Sequence, residues 1–257
     1  MSVLRLVIIL TLLVILILFS IPLQLILNIV GFKLKRKYPL LFYNAIRLIT
    51  GIKINFDHTK LNKKKNGVLY IANHVSWFDI ICLGTLLDAR FIAKQEVSKM
   101  GIFGLLAKLS NTFFIDNSNK NKILEYNSII KRKLQLGDNF IIFPEGTTSD
   151  GNGVIEFKSS MLECAFGNER EVSIQPITLC YTKLNNIPMG IYQRRNIAWV
   201  GDISMVDAMG NFLCSGKITV DIIFHQLVNI REFDNRKELA YFCEQEILSG
   251  LNKTIKI

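Results

Sequence analysis

Two short segments of the chain combine residue types that can carry out acid–base chemistry. In the first, residues 71–79, His74 precedes Asp79 by five positions and directly follows an apolar run. If the chain turns between them into the start of a helix, the Asp79 carboxylate accepts a hydrogen bond from one ring nitrogen of His74 and leaves the other as a base. The pairing also arises by chance, and a lone histidine after a strand is more commonly a loop or capping residue.

The second segment, residues 140–149, runs from an apolar stretch into Pro144, Glu145 and Gly146, and three hydroxyl-bearing residues follow. Proline removes a main-chain donor, and glycine permits a tight turn or a close approach of the backbone. The segment therefore predicts a carboxylate and several hydroxyls at the end of a strand. Taken alone, it is more simply a strand-to-loop turn.

Short apolar runs alternate with segments of helical periodicity after residue 66. The pattern predicts strands at residues 68–72, 90–93, 112–115, 139–143, 172–181, 197–200 and 217–224. It predicts helices at residues 77–87, 98–109, 120–136, 159–166 and 232–251. This alternation indicates an α/β domain with a central, mostly buried sheet flanked by helices. Ligands bind such sheets where strands end, and both polar segments follow predicted strands.

The longest apolar run, Leu6–Phe32, carries no charge. A helix needs about 20 such residues to cross a bilayer, whereas the apolar part of a signal peptide has about 7–15 and precedes a small-residue cleavage site. The run is longer and no such site follows it, so we expect a membrane-anchoring helix. Two alternatives are a buried core helix and a helix that enters the membrane and returns, kinked at Pro22 or Asn28.

The basic charge of the chain, +10 overall, is confined to one region. Residues 1–66 hold eleven Lys or Arg and one Asp, and the remainder is neutral. A nucleic-acid binder would spread basic residues over its folded domain, so no nucleic-acid partner is expected. Basic residues immediately after the apolar run predict that the following domain lies on the cytoplasmic side of an inner or cytoplasmic membrane.

The same region contains a second amphipathic segment, Pro39–Thr50, which predicts a helix on the membrane surface, with an ordinary core helix as the alternative. We therefore divide the chain into membrane-anchoring helices at residues 1–50 and an α/β catalytic domain at residues 51–257. The five cysteines form no C-x-x-C pair, which argues against a disulfide framework or a metal site. His58 and His225 are predicted to be structural.

Together, the two polar segments resemble the 1-acylglycerol-3-phosphate acyltransferase family of membrane lipid acyltransferases, in their order and their spacing of about 65 residues. Further blocks of that family match residues 91–97, Gly104, 113–115 and 175–177, so the resemblance covers residues 65–205. It implies a glycerolipid acyltransferase-like fold and an enzyme that moves a fatty acyl chain from acyl-CoA or acyl carrier protein to the hydroxyl of a lysolipid. No cofactor or metal is implied.

Carried over by position, the resemblance implies that His74 is the general base and that Asp79 orients it. It also implies a set of residues at the substrate site, of which the first two shape the turn: Asn73, Ser76, Lys94, Glu145, Gly146, Thr147 and Thr148. The chemistry is reasonable because a neutral alcohol needs a base to attack a thioester, while a leaving thiol with a pKa near 8.5 needs little acid help.

Two positions depart from the family pattern. Asn117 and Thr148 stand where arginines that would hold the acceptor phosphate are expected. Lys120 or Lys122 are possible substitutes, although a lysine is a point charge rather than a planar fork. The favoured acceptor is 1-acylglycerol 3-phosphate, which would give phosphatidic acid.

Residues 144–151 and 157–160 resemble family members that act on lyso-ornithine lipid as well, so that aminolipid is the alternative acceptor. A thioesterase remains a further possibility, as does an inactive membrane-tethered lipid-binding module. The intact pair of His74 and Asp79 argues against the binding module, because binding alone needs no base.

Overall fold

The computed structural model describes residues 3–30, 32–58, 60, 67–116, 120–167 and 172–255. Its helices are α1 (Val3–Val30), α2 (Phe32–Thr50), α3 (Phe78–Gly84), α4 (Gly101–Leu109), α5 (Lys120–Gln135), α6 (Ile191–Ile197), α7 (Met205–Ser215) and α8 (Arg236–Ile255). Its strands are β1 (Lys53–Phe56), β2 (Val68–Ala72), β3 (Arg90–Lys94), β4 (Phe113–Ile115), β5 (Phe140–Ile142), β6 (Ser173–Leu184), β7 (Ile187–Pro188), β8 (Ile218–Phe224) and β9 (Val228–Asn229). Short 3₁₀ turns cover Gln95–Lys99, Ser159–Ala165 and Ile230–Glu232.

One mixed sheet organises these strands in the order β1-β8-β6-β2-β5-β3-β4, with β7 and β9 paired to β6. The strands β6, β2, β5, β3 and β4 run parallel to one another, and β8 pairs antiparallel to β6. The carboxyl ends of β2, β5 and β3 therefore lie at the same edge of the sheet. His74 lies in the loop after β2, Glu145 lies in the loop after β5, and Lys94 is the last residue of β3.

Strand β2 shows why the sheet is buried on both faces. All five of its residues are buried, and they alternate between two hydrophobic clusters. Tyr70 faces the cluster that contains α2, α3 and α7, whereas Leu69 and Ile71 face the cluster that contains α5 and α8. A strand covered on both faces reads as a continuous apolar run, which is why the sequence indicated it so clearly. The predicted α/β class with flanking helices is confirmed.

One predicted strand, residues 197–200, is wrong. Ile197 is the last residue of α6, and the next residues join no strand among the ranges described above. The run is apolar because Ile197 and Ala198 pack into the core, and the main-chain N–H of Trp199 donates to the carbonyl of Val75 at 3.0 Å. Burial by side-chain packing gives the same composition as a buried strand.

The observed bounds of other elements differ from the predicted ones, and some elements were not predicted. The predicted helix at 159–166 is a 3₁₀ turn, and the last helix begins at Arg236 and reaches Ile255. Strand β1, with four residues, and helix α6, with seven, were missed because elements this short show little periodicity. Helix α7 and the two-residue strands β7 and β9 were missed as well.

Helix α2 packs closely on the α/β domain. Its Tyr43 ring lies against Gly84 of α3, where a Cβ atom would come within 2.3 Å of Tyr43 Cδ2. On the opposite face Leu41 and Leu48 remain exposed. The inner face of residues 39–50 thus supports the core-helix interpretation, and the outer face keeps two apolar side chains uncovered. The division of the chain after residue 50 stays a prediction.

Helix α1 contacts the rest of the protein along a single stripe. The side chains of this stripe, at least partly buried, are Leu6, Ile9, Leu13, Leu16, Ile17, Ser20 and Gln24. Gln24 Nε2 donates to the carbonyl of Leu109 in α4 at 3.1 Å. Within the described residues, α1 is the one helix long and apolar enough to cross a bilayer, and only 11% of the stretch Val3–Ile29 is buried.

Candidate active site

The loop between β2 and α3 brings His74 and Asp79 together. The chain leaves β2 at Ala72 and turns into α3. At the start of α3 the N–H of Asp79 donates to the carbonyl of Ser76 at 3.0 Å, and the N–H of Ile80 donates to the carbonyl of Trp77 at 3.3 Å. This turn places His74 Nδ1 2.7 Å from Asp79 Oδ2. The hydrogen bond predicted from the five-residue spacing is therefore present.

Asp79 is fully buried and its carboxylate accepts several hydrogen bonds. Besides His74, Oδ2 accepts the main-chain N–H groups of Val75 at 2.6 Å and Ser76 at 2.9 Å. Oδ1 accepts the hydroxyl of Tyr181 at 2.6 Å. An acceptor surrounded by donors in this way requires the proton on Nδ1 of the neutral imidazole. The lone pair of the neutral ring then lies on Nε2.

Tyr181 is the residue of this cluster that sequence reasoning missed. It belongs to β6, is fully buried, and lies 102 positions after Asp79. Burial, reinforced by the nearby Asp79 charge, raises the pKa of Tyr181 well above its usual value near 10. The phenol therefore stays protonated and can only donate to the carboxylate. No local sequence signal marks this tyrosine, because the contact depends on the pairing of β6 with β2.

The ring of His74 is held in place by an aromatic neighbour. It stacks on Phe143 with a centroid separation of 4.1 Å and an interplanar angle of 14°, and Phe143 in turn stacks with Phe91. The side chain is 17% exposed. None of the described residues hydrogen-bonds Nε2, so the lone pair of this nitrogen has no partner among them.

Glu145 holds the main chain of His74. The residue is fully buried, and Oε1 accepts the N–H of His74 at 2.8 Å while Oε2 accepts that of Ile155 at 3.2 Å. Burial raises the pKa of Glu145 to about 8, although both hydrogen bonds oppose the shift. The resemblance implied a contact with the acceptor head group. In this structure the carboxylate faces the His74 loop instead, and the geometry favours a positioning role.

The residues after Glu145 form a turn that follows β5. Gly146 has a φ of +70°, which glycine adopts at low cost. Thr147 is exposed, and the hydroxyl of Thr148 donates to the main-chain carbonyl of Trp199. The main-chain N–H of Ser149 donates to the carbonyl of His74 at 2.7 Å. The turn is thus joined directly to the histidine loop.

The other predicted site residues have distinct positions. Asn73 is buried and bonds both main-chain groups of Leu179 in β6, at 3.0 and 2.8 Å. Ser76 is buried within the loop, and Lys94 is exposed at the end of β3. These bonds tie the start of the His74 loop to β6, and the turn-shaping role implied for Asn73 stays a prediction. Substrate contacts of all three residues stay predictions.

Lys122, one of the two lysines predicted to replace the missing arginine near residue 117, forms an ion pair with Asp116 at 2.8 Å. Its contact with the acceptor stays a prediction. Asn117 itself lies outside the described residues, as does the side chain of Lys120. Among the described residues, no group of three or more His, Cys, Asp or Glu side chains has the geometry of a metal site.

Comparison with known proteins gives a consistent set of similarities. A family model described as Acyltransferase matches residues 53–180. The lyso-ornithine lipid O-acyltransferase of Rhizobium meliloti (strain 1021) is 33% identical over 240 residues, which cover 91% of this chain and 82% of that protein. The 1-acyl-sn-glycerol-3-phosphate acyltransferase of Neisseria gonorrhoeae is 28% identical over 182 residues, covering 71% and 68%.

A solved structure shows the same fold. The crystal structure of the 1-acyl-sn-glycerophosphate acyltransferase PlsC from Thermotoga maritima superposes with a TM-score of 0.71 and covers 97% of this chain and 94% of that chain. The two sequences are 21% identical, so this likeness concerns the fold alone.

Proposed function

Since the chain belongs to the acyltransferase family that includes these lysolipid acyltransferases, we propose that it moves a fatty acyl chain from an acyl thioester to the free hydroxyl of a lysolipid. The observation that carries the proposal is the 2.7 Å hydrogen bond between His74 Nδ1 and Asp79 Oδ2. It sets the tautomer of the ring and leaves Nε2 as the base.

The reaction requires one proton to move twice. The acceptor hydroxyl gives its proton to Nε2 of His74 while its oxygen attacks the thioester carbonyl. The tetrahedral intermediate then collapses, the carbon–sulfur bond breaks, and the proton returns from the imidazolium to the leaving thiolate. The products are an ester and a free thiol. Asp79 stabilises the imidazolium throughout, and Tyr181 and the amides of Val75 and Ser76 hold the carboxylate in place.

The proposed acyl donor is acyl-CoA or acyl carrier protein, and the proposed reaction needs no cofactor or metal. A thioester is already activated, since its leaving thiol has a pKa near 8.5. The protein therefore has to supply a base, an orientation and a surface for two lipid-like substrates.

Two acceptors remain candidates, 1-acylglycerol 3-phosphate and lyso-ornithine lipid. Relatives named for each are similar to this chain. Two named for lyso-ornithine lipid are 33% and 32% identical over 91% and 86% of it, against 28% over 71% for the acyltransferase of Neisseria gonorrhoeae. Thr148 also favours the aminolipid, because a guanidinium at this position would suit a phosphomonoester best. We propose lyso-ornithine lipid as the preferred acceptor and 1-acylglycerol 3-phosphate as the second.

The test of this function is an acyl-transfer assay on detergent-purified protein. Acyl-CoA and acyl carrier protein donors are offered with a panel of lysolipids, and products are identified by mass. Transfer should require the lysolipid, and Asp79→Asn should reduce it by about 10²–10⁴-fold through loss of the correct tautomer. Release of fatty acid at the same rate without any lysolipid would identify a thioesterase instead.

We also propose that the outer face of α1 enters the cytoplasmic membrane, with the α/β domain on the cytoplasmic side. Large apolar side chains exposed on α1 support this, among them Val14, Ile15, Leu18 and Phe19. The basic residues that follow α1 support the orientation. Replacing both Ile15 and Leu18 by lysine should move the protein to the soluble fraction. Leu136→Lys, at a still more exposed leucine of the domain surface, should not.

The side of the membrane can be read from a native thiol. Cys214 is the exposed one of the five cysteines, and the other four are buried. A membrane-impermeant maleimide should label Cys214 in inside-out vesicles and fail to label it in intact cells. The opposite labelling would contradict the proposed orientation.

A further inference from the structure

The anionic group of either candidate acceptor needs a cation at the active site. A phosphate and the carboxylate of an amino-acid head group both form their strongest hydrogen bonds with lysine or arginine. Residue 148 is a threonine whose hydroxyl is bonded to the Trp199 carbonyl, and Asn117 carries no charge. A lysine from another part of the sequence lies beside the same turn.

The side chain of Lys158 is folded over Gly146. A Cβ atom on Gly146 would lie 2.8 Å from Lys158 Nζ, 3.3 Å from Cδ and 3.4 Å from Cε. The aliphatic part therefore runs along the backbone of the turn after β5, and the ammonium ends over that turn. Glycine at position 146 supplies both the positive φ and the space that the ammonium occupies.

Main-chain hydrogen bonds fix the segment of Lys158 to the active site. Its N–H donates to the carbonyl of Pro144 at 2.9 Å. Three residues earlier, the N–H of Ile155 donates to Glu145 Oε2, and the other oxygen of Glu145 accepts the N–H of His74. The lysine and the proposed base are thus held by one short network of contacts.

The ammonium of Lys158 is available to a ligand. None of the ion pairs between described residues includes it. Glu145, which adjoins Gly146, directs both oxygens to main-chain N–H groups. We propose that Lys158 binds the anionic group of the acceptor lipid, a phosphate or an amino-acid carboxylate, above the Gly146 turn. This inference rests on the proposed function, and it names the residue that recognises the charge of the acceptor.

Lys94, the lysine predicted from the sequence at the substrate site, lies at a different strand from the turn that Lys158 covers. It ends β3, which is separated from β2 by β5, and its side chain is exposed. The proposed contact at Lys158 is close to the turn that holds His74, so it orients the acceptor hydroxyl toward Nε2. Loss of one charge-assisted hydrogen bond should lower kcat/KM by about 10- to 100-fold.

The test compares Lys158→Met with wild type on three acceptors: lyso-ornithine lipid, 1-acylglycerol 3-phosphate and the uncharged monoacylglycerol. We expect kcat/KM for the two charged acceptors to fall by about 10- to 100-fold, mainly through KM, and that for monoacylglycerol to change by less than about 3-fold. Lys158→Arg keeps the charge and should remain closer to wild type than Lys158→Met. The relative loss on the two charged acceptors shows which anion the lysine contacts.

Lys131 provides the matched control. Its ammonium also lies over a glycine of positive φ, 3.2 Å from the Cβ position of Gly167, but on helix α5 behind the sheet. Lys131→Met should leave the acceptor preference unchanged. An equal loss on all three acceptors in Lys158→Met would overturn the proposal, and so would unchanged kinetics.

To distinguish a contact of Lys158 with the acyl donor from one with the acceptor, the assay is repeated with an acyl-N-acetylcysteamine thioester, which has no phosphate. If the loss in Lys158→Met vanishes with this donor, the lysine binds phosphates of CoA and the proposal is wrong. Binding can also be measured without turnover by titrating 1-acylglycerol 3-phosphate into the His74→Ala variant and into the double variant His74→Ala, Lys158→Met. The double variant should bind this lipid at least about 10-fold more weakly. A wild-type protein that binds this lipid but transfers no acyl chain would contradict the proposed function and not the role of Lys158.

Discussion

Two histidines of this protein each contact one carboxylate, and they differ in what their second nitrogen does. His74 Nδ1 lies 2.7 Å from Asp79, and no described residue hydrogen-bonds Nε2. His225 Nδ1 lies 3.2 Å from Glu246, and its Nε2 lies 2.8 Å from the hydroxyl of Thr178. Both clusters contain a histidine, an acid and a hydroxyl. Only the first has a nitrogen left for a substrate proton.

The surroundings of the two histidines explain this difference. His74 lies on a loop at the carboxyl edge of the sheet, whereas His225 lies between β8 and α8, against Gly250. Thr178 is fully buried and also donates to the carbonyl of Ile247, so no substrate can reach it. The structural role predicted for His225 is thereby supported. A histidine–carboxylate pair indicates catalysis only when position and free hydrogen-bonding capacity agree.

Protonation of His225 opposes folding. Burial lowers the pKa of His225, and the neighbouring Glu246 only partly opposes the shift. A lowered pKa means that the folded protein binds this proton less tightly than the unfolded chain, so His225 reduces stability as the pH falls below 6.5. His225, Glu246 and Thr178, here called the back-face cluster, join β8, α8 and β6 through the two ring nitrogens of His225.

The largest expected contrast is between His74→Ala and His225→Ala. Loss of the base should reduce kcat by about 10³–10⁴-fold without changing membrane association, whereas His225→Ala should lose stability and retain its kcat per folded molecule. Acyl-transfer assays and thermal unfolding of both variants check this. Full activity of His74→Ala would remove the proposed base, and a comparable loss of kcat in His225→Ala would remove the distinction between the two clusters.

The second contrast concerns how each histidine backbone is held. The N–H of His74 donates to the Glu145 side chain, and that of His225 donates to the Pro176 carbonyl at 3.0 Å. Because the pKa of Glu145 is raised from 4.5 to about 8, the folded protein binds its proton more tightly than the unfolded chain. Stability should therefore fall as the pH rises from about 4.5 to 8, by on the order of a few kcal/mol.

Glu145→Gln removes this titration, so its free energy of unfolding should depend less on pH than that of wild type. Denaturant unfolding in detergent at a series of pH values measures the difference. Glu156→Gln, at an exposed carboxylate of the same segment, is the control and should follow wild type. Parallel curves for wild type and Glu145→Gln would show that the carboxylate titrates as it does in the unfolded chain.

A third contrast tests the packing of the back-face cluster. A Cβ atom on Gly250 would lie 2.5 Å from Thr178 Oγ1 and 2.9 Å from His225 Cε1. Gly250→Ala should destabilise the protein by about 1–3 kcal/mol while leaving kcat per folded molecule unchanged. Gly210→Ala in α7, where a Cβ meets nothing within 4 Å, should be neutral or stabilising by up to about 1 kcal/mol. Equal unfolding midpoints for the two variants would argue against tight packing at Gly250.

The smallest expected effect is that of Tyr181→Phe. Removing the 2.6 Å hydrogen bond to Asp79 should lower kcat by about 10-fold through a less well oriented carboxylate. Thr178→Val, which removes the hydroxyl of the other cluster, should leave kcat per folded molecule unchanged. Acyl-transfer kinetics of both variants check this, and an unchanged kcat in Tyr181→Phe would reduce Tyr181 to a packing residue.

Several elements could be read directly from the sequence. Strand β2 was predicted with its observed ends, because a strand buried on both faces is a continuous apolar run. Strands β3 and β8 were predicted to within one residue. The bond between His74 and Asp79 was also predicted, since both residues lie within one local turn. Residues 197–200 were misread as a strand because burial by packing and burial in a sheet select the same side chains.

The residues that contact the His74–Asp79 pair from other strands and loops could not be predicted from local sequence patterns. Tyr181 meets Asp79 only because β6 pairs with β2 in the observed register. Glu145 was recognised as a carboxylate after a strand, but its direction toward the His74 main chain depends on the adjacent pairing of β2 with β5. Lys158 reaches the Gly146 turn through a loop whose path no periodicity indicates.

The amino-acid sequence by itself determined the local chemistry of this protein: a base and its acid within one turn, a long apolar helix, and a sheet whose strands must be covered on both faces. Each of these depends on residues close together in the chain. The tertiary structure decided which histidine keeps a free nitrogen, which hydroxyl holds the acid, and which lysine lies over the active-site turn. These depend on strand order and register, because hydrogen bonds between distant residues exist only after the sheet has formed.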